Sequence, residues 1–202
     1  MYIKERKKEL RYTNADNLPT QFGLLKLDEF LEEFKDKCYI NIDKFWGNPA
    51  GIYKTVKRHD MIDQVLVKSR LSENVLRVLE DVGPEIPFMP VVYEEVHPEL
   101  AALKDRNVNY VGVEVVFARE DSELCSEQFL EGLRADGKLT WVNSLSYNTQ
   151  KQLSGGHSDD TAFTVSMEYG WGWLAEKGFD MIQTDWPGML IDYLKSTNRY
   201  YR

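Results

Sequence analysis

From Leu24 to the C-terminus, helix-period and strand-period apolar patterns alternate without exception, and this rhythm restricts the fold more than any other feature of the chain. Leu24-Leu25, Leu27, Phe30-Leu31 and Phe34 recur at helical spacing and predict a helix over 26–35, with the β-rich run Cys38–Ile42 directly behind it. Asn48-Pro49 opens a second helix that runs to about His59, ahead of a strand at Gln64–Lys68. Ser72 starts a third helix, ended by Gly83. Strands follow at Phe88–Tyr93, Val111–Phe117, Leu139–Asn143 and Met181–Thr184, separated by helices after His97-Pro98, over Glu123–Ala135 and over Tyr169–Lys177; Pro187–Lys195 forms the last helix. Gly155–Asp160 reads as a loop. The strands are apolar on both faces, as a parallel sheet covered by helices requires. Six βα units fit this length, whereas a closed eight-unit barrel needs about 250 residues.

The 202 residues are 43% hydrophobic and 12% aromatic, which excludes a disordered chain and predicts one domain, or two at most. Twenty-five Lys+Arg against 33 Asp+Glu give a net charge of -8, which argues against nucleic acid or an anionic membrane as partner. Cys38 and Cys125 are too few and too far apart for a disulfide scaffold or a zinc site, and read as buried small hydrophobes. No apolar run is long enough for a membrane span, and Met1–Leu10 is charged without the apolar stretch of a signal peptide; the compartment stays open. Residues 1–23 are polar, weakly patterned and without a strand signal, so the chain divides into an irregular segment 1–23 and a structured domain 24–202.

In folds of this kind reactive groups project from the C-terminal ends of strands. Asp43 stands where the first strand ends, as a ligand contact or as a partner of Lys44. Lys68 closes a strand of Val and Leu and suits an anionic group such as phosphate. Glu114 interrupts an apolar strand and must be paired there, in the site or with a lysine such as Lys68. Trp141 and Asn143 alternate on one strand and share a face. Gln183, Thr184 and Asp185 end the last strand. Of the three histidines, His59 sits at a helix end, His97 in a loop and His157 in a Gly-rich loop; no pair is placed for acid–base work.

The run GFDMIQTDWPGMLIDYL (Gly178–Leu194) resembles the closing strand and helix of the glycerophosphodiester phosphodiesterase family. Leu25–Lys44 is similar to that family's helix leading into its third strand, and Gly137–Leu145 to its seventh strand. The resemblance implies an α/β fold, a TIM (β/α)8-type barrel that is incomplete here, with about six units and the first two missing. It implies hydrolysis of a glycerophosphodiester, a small molecule of lipid metabolism, to glycerol 3-phosphate and an alcohol, by two histidines and a divalent metal, Ca2+ or Mg2+. The family's His-Arg motif and the acidic pair of its second strand have no counterpart before Leu24, so no catalytic residue is assigned and the chain is expected to be inactive. Asp43 falls at a metal carboxylate; Trp141 would line the glycerol side, with Lys68, Glu114 and Asn143 as further substrate-binding residues. A phospho-ligand binding protein on the same barrel is the alternative. An open barrel has two free edges, which predicts self-association.

Overall fold

The computed structural model describes residues 11–146 and 151–200. Its centre is a six-stranded sheet, entirely parallel, with strands in chain order: β3 (Ile40–Asn41), β4 (Val65–Arg70), β5 (Phe88–Tyr93), β6 (Gly112–Val116), β7 (Leu139–Asn143) and β8 (Met181–Gln183). Helices cover one face: α1 (Leu27–Phe34), α2 (Pro49–Arg58), α3 (Glu73–Val82), α4 (Glu127–Ala135), α5 (Asp159–Thr164), α6 (Trp173–Glu176) and α7 (Pro187–Ser196). Neighbouring strands lie about 4.8 Å apart, so β4 and β8 would stand about 19 Å apart in a flat sheet. Yet Lys68 Nζ on β4 reaches Gln183 Oε1 on β8 at 3.5 Å. The sheet is therefore curled into a half-barrel, an open version of the expected TIM-type fold.

Local chemistry explains the elements. Asn48 and Ser72 cap α2 and α3 by accepting from the backbone N–H of Gly51 and Val75, and Pro49 occupies the first position of α2. Ser126 caps α4 and breaks the expected helix over 123–135, leaving Glu123–Cys125 as a short 3₁₀ turn. The segment Pro98–Asp105 is likewise 3₁₀ rather than α. Gly178 adopts φ +82° and ends α6, a conformation that costs other residues strain. Gly112 lets β6 and β7 approach, because a Cβ there would meet the Leu139 carbonyl oxygen at 2.2 Å.

Three further expectations are corrected. Within residues 1–23, Arg11–Thr13 (β1) and Pro19–Gly23 (β2) form an antiparallel hairpin. Its turn is built by Asn14, whose side chain accepts from the N–H of Asp16 and Leu18, a turn chemistry that asparagine supplies readily. Helix α5 begins at Asp159, inside the segment read as loop. Of the cysteines, Cys125 is buried, which pushes its thiol up, whereas Cys38, beside the edge strand β3, is exposed.

The core lies between sheet and helices. Val65 and Val67 of β4, Phe88 and Val92 of β5, Val113 and Val115 of β6 and Val142 of β7 point into it with Leu31, Val56, Leu76, Leu79 and Leu130 from the helices. By alternation, Lys68, Glu114, Trp141, Asn143 and Gln183 occupy the opposite, concave face.

Candidate functional site

Parallel pairing sets the height of each concave-face residue. Glu114 stands beside Trp141, and Asn143 beside Gln183, in the upper half of the sheet near the strand C-termini. The curl then brings Lys68 over them. Its ammonium lies 2.8 Å from Glu114 Oε2 and 3.8 Å from the centre of the Trp141 ring. Lys68 and Glu114 side chains are each only 10% exposed, so the pair is largely withdrawn from solvent. Asn143 Nδ2 donates to Glu114 Oε1 at 2.6 Å, which gives each carboxylate oxygen a partner. Trp141 Nε1 donates to Gln183 Oε1 at 3.1 Å, the same oxygen that faces Lys68. Trp46 Nε1 donates to the Lys68 carbonyl at 2.6 Å and pins the strand that carries the lysine.

Burying this ion pair is affordable only because every charged atom is met; a bare carboxylate here would cost several kcal/mol. The cluster opens into a concavity of about 230 Å3 whose lining includes Lys68, Glu114, Asn143, Gln183, Asp43 and Lys151. Thus four of the sequence candidates, Lys68, Glu114, Trp141 and Asn143, meet in one hydrogen-bonded group. Asp43 stands apart at the rim, 72% exposed and 3.1 Å from Lys44. Gln183 is the member that strand patterning placed at a strand end without assigning it a role.

A second polar centre sits beside the first. Asp159, buried at the start of α5, accepts from Ser144 Oγ, from Trp171 Nε1 and Thr184 Oγ1 at 2.8 Å each, and from the Asp185 N–H at 3.0 Å. Through these bonds it holds the end of β8, and hence Gln183, in place. His157 is fully buried, stacked on Trp173 at 3.9 Å, and its ring nitrogens face the Tyr169 carbonyl and Glu120. His59 bonds to Asp28, and His97 accepts from the Glu99 N–H. None of the three histidines lines the concavity.

The metal implied by the family resemblance would need several oxygen ligands around one point. Among the described residues no three His, Cys, Asp or Glu side chains converge in that way. Asp43 faces a lysine and Glu114 has both oxygens engaged. The described residues do not fit a divalent ion.

A family model described as a domain of unknown function, DUF4996, matches residues 88–194, more than half of the chain. The chain belongs to this family. The DUF4996 region runs from β5 into α7 and contains Glu114, Trp141, Asn143 and Gln183, whereas Lys68 precedes it. No curated protein matches the sequence. Among solved structures the chain is similar to one from Galdieria sulphuraria described as a "putative glycerophosphodiester phosphodiesterase", with a TM-score of 0.57, 14% identity and coverage of 84% of this chain. The chain spans 62% of that neighbour's length. At such identity the likeness is one of fold, and it meets at that level the family that Gly178–Leu194 resembles.

Proposed function

We propose that the concave mouth of this DUF4996 protein binds a phosphorylated small molecule of the glycerophosphodiester class, in a barrel of the phosphoric diester hydrolase type, and that its own residues hold the ligand without cleaving it. The observation that carries the reading is the Lys68 ammonium, held on the concave face below the strand C-termini by Glu114 and Trp141. Parallel βα folds bind ligands at that end. A compact, fixed cation suits a phosphate oxygen, and Asn143 adds an amide group that suits the hydroxyls of a polyol.

Acid–base cleavage of a diester needs one group to take a proton and another to give one. The histidines lie elsewhere, and Glu114 is committed to Lys68 and Asn143. Binding therefore fits the described residues better than turnover. Calorimetric titration with glycerol 3-phosphate is expected to give a saturable heat, and glycerophosphocholine with Ca2+ or Mg2+ is expected to stay intact. Absence of both heat and thermal shift removes the binding site, while robust turnover removes the inactivity.

Among the described residues strands β3 and β8 each present one unpaired edge, and such edges pair readily with other strands. Self-association through them is part of the proposal, and a native mass showing only monomer at low concentration would count against it. Among the described residues no helix is long and apolar enough to cross a membrane.

A further inference from the structure

We infer that Gln183 Oε1 occupies the seat of a ligand phosphate oxygen, in a metal-independent nest formed by the Lys68 ammonium and the Trp141 indole N–H. This rests on the phospho-ligand reading above and goes beyond it by assigning the donors, the displaced group and the absence of a metal requirement.

Two donors from strands β4 and β7 converge on one oxygen of a third strand: Trp141 Nε1 at 3.1 Å and Lys68 Nζ at 3.5 Å. Neither donor is placed by Gln183 alone. Lys68 is fixed by Glu114 at 2.8 Å and lies over the Trp141 ring, and the backbone of Trp141 is held in β7 between its register partners Glu114 and Met181. The nest would therefore persist if the glutamine swung away. Its present occupant is a poor match for a cation, because a charge-assisted N–H···O bond runs near 2.7–2.9 Å and is roughly twice as strong as a neutral one. At 3.5 Å the lysine contact with the neutral amide falls well short of that. A phosphate oxygen carries the charge that the amide lacks.

Gln183 is also suited to leave. It lies on the edge strand β8, is half-buried, and lines the concavity through which a small anion would arrive. Glu114 sets the limit on affinity. As the resident counter-anion of Lys68 it opposes a second negative charge, and it keeps the ammonium oriented toward the Gln183 position when the ligand is absent. The glutamine thus acts as an internal plug, and the ligand replaces its oxygen without requiring a new donor to form.

The test measures binding of glycerol 3-phosphate and of inorganic phosphate to the full chain in EDTA, for wild type, Gln183→Ala, Gln183→Met and Gln183→Glu. Removing a competing hydrogen bond is expected to tighten binding about five- to tenfold in Gln183→Ala. Gln183→Met keeps the side-chain length without the acceptor, and is expected to tighten binding as well should the alanine variant fail to fold. Gln183→Glu places a carboxylate in the seat and is expected to abolish binding while the protein stays folded. Replacing EDTA by Ca2+ should change none of these values. The indole N–H resonance of Trp141 should shift on phosphate addition, a response that a purely structural bond to Gln183 would not give. Equal affinity of wild type and the folded Ala or Met variants overturns the nest and leaves the phospho-ligand reading standing, as does binding that appears only with Ca2+. Failure of every variant to bind either probe overturns both.

Discussion

The two faces of the curled sheet are made by alternate residues of the same strands, yet they follow different rules. On the helix side, Val67, Phe88, Val113, Val115 and Val142 are wholly buried among aliphatic neighbours. On the concave side Gly112 and Leu139, register partners low in the sheet, are also small or apolar, as are Met89 beside Lys68 and Met181 beside Trp141. Only the upper half of that face carries Lys68, Glu114, Trp141, Asn143 and Gln183. A parallel sheet normally fills both faces with apolar side chains. Polarity confined to the C-terminal half of one face therefore marks a place where packing has been given up for chemistry, and the bonds within it show how an ion pair is kept there.

The contrast can be broken most severely from the helix side. Phe88→Ala removes a fully buried ring beside Trp46 and leaves a cavity, with an expected loss of about 3–5 kcal/mol in urea unfolding. On the concave side, Lys68→Met is expected to cost about 3 kcal/mol, because Glu114 keeps its buried charge and only Asn143 still donates to it. The decisive variant is the double Lys68→Met, Glu114→Leu. If the pair is there for binding rather than for stability, removing both charges restores most of the loss while glycerol 3-phosphate binding stays absent. A double variant as unstable as the single one would make the pair a structural brace of the curl.

Much of this was legible in the residues themselves. All six strands fall where apolar runs place them, because a strand flanked by capped helices is defined by local chemistry: Asn48-Pro49, Ser72 and Gly178 act within a few residues. The single-strand alternation of Trp141 and Asn143 was equally local. Pairing of Glu114 with Lys68 could be named only as one alternative, since choosing it needs the curl. The link from Lys68 and Trp141 to Gln183 was out of reach, because it joins residues 115 and 42 positions apart through a curvature that no local pattern encodes. Asp159 was hidden for the same reason: within Gly155–Asp160 it looks like a loop carboxylate, and only the return of Trp171 and Thr184 reveals four donors around it. The hairpin over residues 11–23 was missed despite a local signal, the Asn14 turn, since its strands are short and exposed.

Charges on the outer surface sharpen the comparison at its weak end. Glu168 accepts both guanidinium arms of Arg199 at 2.8 Å and the Tyr193 hydroxyl, and these bonds, Arg199 first, hold its carboxyl at about 2 against an ordinary 4.5. A folded-state value below the unfolded one means that the ionised form stabilises the fold. The contribution is fully present above pH 4.5, declines as the pH falls toward 2, and is absent below it. Glu168→Gln is therefore expected to lower stability slightly at pH 7, with the difference from wild type shrinking across that acid window and vanishing near pH 2. Solvent screens these exposed groups, so the loss at pH 7 should be far smaller than for Lys68→Met and should fall further with added salt. Urea unfolding of both proteins between pH 2 and 7 checks it. A difference that persists unchanged at pH 2, or one that rivals Lys68→Met, would show that Glu168 acts through packing rather than through its charge, and that the surface and the concave face do not differ in the way their burial implies.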